Sequence, residues 1–129
     1  MAISPQDLSH AMLDFLTERH LGILVTLRSD GSPHAVPVGF AYDDADHIVR
    51  IISADGGQKV RNAERGGRVS VSQVDGGRWV TLEGVSVVRR DRESVTAAER
   101  AYAARYQEPR LRDDRVAIEI VVDRILGRA

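Results

Sequence analysis

Asp30-Gly31 and Asp75-Gly76-Gly77 each stand between two runs of β-forming residues. LGILVTL and HAVPVGFAY flank the first turn; RVSVSQV and RWVTLEGVSVV flank the second. A connection this short folds a strand back beside its neighbour, because a parallel return needs a crossover of roughly a dozen residues. The acidic turn around Asp43, Asp44 and Asp46 makes a similar break before HIVRIIS. The expected core is therefore an antiparallel sheet. A doubly wound parallel sheet lacks the crossovers it would need.

The flanking segments change period. ISPQDLSHAMLDFLTERH, residues 3–20, has helical spacing, with Leu8, Met12, Phe15 and Leu16 on one stripe. Ser4 is expected to cap it, Pro5 to take the first helical position, and Ile3 to staple against Leu8. RESVTAAERAYAARYQ is a second helical stretch, with Val95, Ala98, Tyr102 and Tyr106 along one side. Pro109 and the charged run to Arg115 form a connector before VAIEIVVDRIL, which alternates as a strand with Val116, Ile118 and Ile120 on one face. About six strands result, within the usual size of one sheet, and a small closed or partly closed barrel protects their edges. One domain over residues 1–129 is expected. GILVTL and HIVRIIS are apolar on both faces, so a second subunit is expected to cover part of the outer surface.

Composition removes several classes. A net charge of −1 gives no basic excess for nucleic acid. The chain has no cysteine, which excludes disulfide frameworks and thiolate chemistry. No apolar run comes near the ~18 residues of a spanning helix, and no basic stretch followed by a long apolar run stands at the N-terminus. Cytoplasmic residence without membrane attachment is the expectation. His10, His20, His34 and His47 are dispersed and form no metal motif, and no serine stands in a G-x-S-x-G elbow.

Three features remain as candidates. Pro37 interrupts an apolar strand, which marks either an edge or bulge or a place where the backbone leaves the ladder beside a ligand; the residues alone favour the edge. Trp79, the single tryptophan, either fills a core or subunit interface or walls a pocket. The third is GGQKVRNAERGG, residues 56–67, which holds Lys59, the only lysine among 18 Lys and Arg residues. A strand ending at Ser53-Ala54, a glycine turn and a short helix from Gln58 make a corner suited to an anion. Lys59 and Asn62 are three apart and are expected to share a helical face. A solvated connector fits the same residues.

Taken in order, FLTERHLGILVTLRSDGSPHAVPVGFAYD, HIVRIISADGGQKVRNAERGGRVSVSQVDGGRWVTLEG and the final strand resemble the pyridoxamine-phosphate-oxidase-like split β-barrel superfamily. Within it, the resemblance is to deazaflavin-dependent oxidoreductases that use coenzyme F420, nearest the biliverdin reductase group. The resemblance spans nearly the whole chain. It implies a mainly β fold with short helices, a six-stranded antiparallel split barrel of the FMN-binding type, and a homodimer with the coenzyme between subunits. Val36, Pro37 and Val38 would run beside the deazaflavin ring. Ser53, Ala54, Gln58, Lys59 and Asn62 would hold the phosphate side. Gln73 and Trp79 would wall the pocket, in part from the partner subunit. Some relatives carry a second cation just before the lysine, where this chain has Gly57, so a two-cation clamp does not carry over. The implied chemistry is hydride transfer to a conjugated acceptor such as biliverdin, with no catalytic side chain assigned, because the cofactor carries the difficult step. FMN on the same fold is the alternative coenzyme; a non-catalytic protein that binds haem, a tetrapyrrole or the cofactor is the alternative function.

Overall fold

Gly39 and Phe40 divide HAVPVGFAY into two strands that end on opposite edges of one sheet. In the computed structural model, which describes residues 2–129, the strands are β1 (Gly22–Leu27), β2 (Pro33–Val38), β3 (Ala41–Asp43), β4 (Ile48–Ala54), β5 (Arg68–Asp75), β6 (Arg78–Arg89) and β7 (Arg115–Arg128). Three α-helices accompany them: α1 (His10–Thr17), α2 (Gln58–Glu64) and α3 (Arg92–Arg105). The spatial order is β2-β1-β5-β6-β7-β4-β3, with every pairing antiparallel.

The expected count of six strands is thus corrected to seven, and among the described residues the ladder does not close, since β2 and β3 are its two edges. Only two residues join those edges. Three Cα steps of ~3.8 Å limit the separation of Val38 and Ala41 to about 11 Å, so the sheet must curl strongly. Phe40 fills the crossing and is 1% exposed. Gly39 permits it: a Cβ there would lie 2.8 Å from Tyr102 Cε2 and 3.2 Å from Tyr106 Cε2, closer than side chains pack.

The curl encloses one apolar core, in which Phe15, Leu24, Leu82, Ile118, Ile120 and Ile125 are fully buried. Each such side chain stabilises the fold by about 1.5–3 kcal/mol relative to exposure. The expected inward set Val116, Ile118 and Ile120 on β7 is buried as the alternation requires.

The N-terminal expectation fails in detail. Ile3 and Ile125 exchange backbone hydrogen bonds of 2.7 and 3.0 Å, so Ile3 extends the sheet as an isolated bridge. An extended entry leaves room only for a single 3₁₀ turn at Pro5–Asp7, and Leu8 returns to extended geometry. Ser4 makes no side-chain capping bond. The cap of α1 is Ser9, whose Oγ accepts from the Met12 N–H at 3.2 Å.

Candidate functional site

The candidate site lies where the sheet fails to close. β3 pairs only with Ile48–Arg50, so β4 has an open edge from Ile51 onward. β2 is the other open edge. A continuous groove runs between them, in two adjoining parts of about 400 and 460 Å³ that share Ser53, Ala54, Lys59 and Arg112. One part is lined further by Pro37, Val38, Gly39, Ile52, Tyr102 and Arg110; the other by His34, Val36, Gly57 and Gln58.

Edge placement explains Pro37. Pro33 and Pro37 share a parity on β2, opposite Leu27 and Ile23 of β1. The ladder stays whole if both missing N–H groups fall on the side away from β1. That side then offers the carbonyls of Ala35 and Pro37 with only the Ala35 N–H between them.

Below β2, α2 starts at Gln58 and ends at Glu64. Gly66, at φ +71°, takes the left-handed conformation just past it. Lys59 is half-buried in the groove. The acid nearest in sequence, Asp55, does not reach it: Arg90 grips Asp55 with two bonds of 3.0 and 2.9 Å and also bonds to Glu64. That guanidinium, through its hydrogen bonds, holds the Asp55 carboxyl below the usual carboxylate range. Arg112 is paired with Asp114 at 2.9 Å and Arg115 with Glu99 at 2.9 Å. Among the described residues, Lys59 and Arg110 of the same groove take part in no such pair. The buried Nδ1 of His34 also lacks a hydrogen-bond partner.

Seven of the ten residues expected at a coenzyme site line this groove: Val36, Pro37, Val38, Ser53, Ala54, Gln58 and Lys59. The other three do not. Asn62 is 3% exposed and turned inward, so the shared face with Lys59 is corrected. Its Nδ2 donates to Thr26 Oγ1 at 3.1 Å, while its Oδ1 accepts from Gln58 at 2.7 Å and from Arg65 at 2.6 Å. Gln73 is 2% exposed, donating to the Phe15 carbonyl at 2.9 Å and accepting from Arg105 at 2.6 Å. Trp79 stands opposite Val74 on the outer face of the sheet. The groove also contains residues the sequence did not mark: His34, Tyr102, Arg110 and Arg112. The connector after Pro109 was visible, but nothing in its composition says which way it folds.

A separate cluster stands at the β5–β6 turn, where ligand atoms of Glu18, His20 and Asp75 lie within 4.8 Å of one another. Arg78 donates to Glu18 at 2.7 and 2.9 Å and to Asp75 at 2.6 Å. The carboxylates are therefore held in an ion-pair network. No helix among the described residues is long and apolar enough to cross a membrane.

Comparison with known proteins bears on this geometry. The F420H(2)-dependent biliverdin reductase of Mycobacterium tuberculosis is 51% identical over 122 residues, 95% of this chain and 89% of the relative. A crystal structure of a conserved hypothetical protein from Mycobacterium tuberculosis superposes with a TM-score of 0.78 at 26% identity, covering 93% of this chain and 84% of that one. An F420 reductase structure superposes with a TM-score of 0.76 at 23% identity, covering 92% and 98%. The model of the pyridoxamine 5'-phosphate oxidase family matches residues 8–129. A curled antiparallel sheet is thus the shared frame, and the chain belongs to the pyridoxamine 5'-phosphate oxidase family.

Proposed function

We propose that this protein is a coenzyme F420-dependent reductase acting on a conjugated acceptor, with biliverdin or a related tetrapyrrole as substrate. The observation that carries the reading is the identity shared with the mycobacterial F420H(2)-dependent biliverdin reductase over nearly the whole chain. The groove fits such a coenzyme. Lys59 is a half-buried cation with no anion of its own, beside Gly56 and Gly57, where a Cβ would meet nothing within 4 Å. A phosphate can approach that backbone closely. Gln58 lies in the same corner, and Ser53 and Ala54 form its strand-end wall.

Val36, Pro37 and Val38 give the ring an apolar, rigid rail. The Ala35 N–H and the outward carbonyls of β2 suit the polar edge of a deazaflavin. When bound, the coenzyme supplies a hydride from its reduced ring, and the acceptor takes one further proton from solvent. The chain's part is to orient the two reactants and exclude bulk water from one face.

The domain spans residues 1–129 as a split barrel and works as a homodimer. Supporting this, Ile23, Leu27, Val74 and Trp79 are 44, 46, 71 and 39% exposed on the outer face, an apolar surface that a second copy would cover. In that arrangement Trp79 is an interface residue, positioned to wall the partner's groove. Asn62 supports the coenzyme corner from beneath through its bond to Gln58, and Gln73 acts through Arg105 on the crossing that carries β2.

The test is a titration with reduced F420, followed by biliverdin, recording both absorption spectra. Saturable binding followed by matched loss of the reduced coenzyme and of biliverdin is expected. Tight retention of FMN with indifference to F420 would transfer the site to the flavin. Binding of either reactant without turnover would leave a carrier.

A further inference from the structure

The two unpaired cations of the groove occupy different places. Lys59 stands at the junction of its two parts, beside Gly57 and Gln58. Arg110 lines only the part bounded by Gly39 and Tyr102, on the connector that follows α3. The other two arginines of the groove, Arg112 and Arg115, are already neutralised by Asp114 and Glu99. The acid lining the Arg110 end is Glu108, which is exposed and takes part in no ion pair among the described residues.

A reductase with this groove must hold two anionic molecules together. One phosphate needs one cation, and Lys59 is the residue beside the open glycine backbone. A tetrapyrrole acceptor carries two propionates on a flat apolar body. Such a ligand fits the end of the groove walled by Gly39, Ile52 and Tyr102, beyond the β2 rail given to the coenzyme ring, where a guanidinium offers vacant donors. Arg presents a planar fork that matches a carboxylate with two parallel bonds. Lysine at that position would act only as a point charge.

Resting on the reductase reading above, we propose that Arg110 receives a propionate carboxylate of the acceptor and so selects substrates bearing an acidic side arm at that end. Lys59 serves the coenzyme, and Arg110 serves the substrate. The two cations divide the anions by position.

Arg110→Gln, measured beside wild type with biliverdin and with its dimethyl ester, tests this. Arg110 is exposed and its side chain makes no hydrogen bond or ion pair among the described residues, so the variant should fold with an unchanged melting temperature. The KM for biliverdin should rise about ten- to hundredfold, the range of a charge-assisted hydrogen bond, while the Kd for F420 stays within about twofold. Wild type should handle the ester as poorly as the variant handles the acid, and the substitution should leave the ester KM unchanged. Arg110→Lys should recover only part of the loss. An equal effect on acid and ester, no effect on either, or a parallel loss of F420 affinity would each overturn the assignment. Wild-type protein that binds F420 yet leaves biliverdin unreduced would overturn the reductase reading and this assignment with it. Normal turnover in an Arg110→Gln variant would remove the assignment alone.

Discussion

Arg105 and Lys59 are both partly buried cations, and their surroundings are opposite. Arg105 spends every arm on the chain itself: Nε donates to the Glu18 carbonyl at 2.8 Å, one terminal nitrogen to the Phe40 carbonyl at 2.6 Å, the other to Gln73 Oε1 at 2.6 Å. Its guanidinium also lies 4.6 Å from the Phe40 ring centroid. Tyr106 completes the clip, donating to the His20 carbonyl at 2.6 Å and accepting from the Phe40 N–H at 3.1 Å. Lys59 has none of this. A cation surrounded by carbonyls and rings secures the place where the chain crosses from one sheet edge to the other. A cation facing an open seam with no acceptor is available to a ligand. The same chemistry thus separates what builds the groove from what uses it.

Breaking the clip should give the largest effect. Arg105→Ala leaves the Phe40 carbonyl and the Gln73 amide with fewer partners and removes the cation from the Phe40 ring. We expect a loss of about 3 kcal/mol in urea unfolding, in the range of a disrupted buried network. Because the crossing holds β2 in place, F420 affinity should fall in the same variant. A stable Arg105→Ala protein would show that Phe40 alone anchors the crossing.

Lys59→Ala and Asn62→Ala sharpen the comparison from the other side. Lys59→Ala should weaken F420 binding about ten- to hundredfold and shift folding stability by less than about 0.5 kcal/mol. Asn62→Ala should do the reverse, costing about 2 kcal/mol because Thr26 and Gln58 lose buried partners. At a temperature where it is folded, its F420 affinity should stay nearer wild type than that of Lys59→Ala. Paired titrations and urea curves on the two variants decide whether cofactor and fold divide on one helix as the hydrogen bonds indicate.

Most of the sheet was legible because antiparallel order follows from turn length, and β1, β2 and β4 through β7 announce themselves by run and alternation. β3 was not, because the Gly39-Phe40 break looks like continuous β sequence until Tyr102 and Tyr106 are seen packed against it. The short N-terminal helix was overextended because Ser4-Pro5 is a sound local start signal, overruled by the bridge between Ile3 and Ile125. At the site, Lys59 stood out as a lone lysine, whereas Arg110 is one arginine among many. Asn62 illustrates the limit of spacing arguments. On a helix of seven residues, a three-residue offset is enough to take a side chain from the groove to the core.

The Glu18 network makes a smaller, pH-dependent comparison with the groove. Arg78 donates two hydrogen bonds to Glu18 and His20 a further one, and these hold the carboxyl down at about 2 from an ordinary 4.5. A depressed folded-state value means that the unfolded chain takes up the proton first as pH falls. The stabilisation is therefore complete above about 4.5 and disappears as pH drops toward about 2. Glu18→Gln should remove that component, so variant and wild type should differ most at neutral pH and converge near pH 2. The difference is small because the carboxylate is exposed and screened by solvent. Urea midpoints at intervals between pH 7 and 2 would read it. F420 affinity at neutral pH should be unaltered, because Glu18 does not line the groove; a fall there would mean that the clip and the network are coupled through Arg105, which bonds to the Glu18 carbonyl.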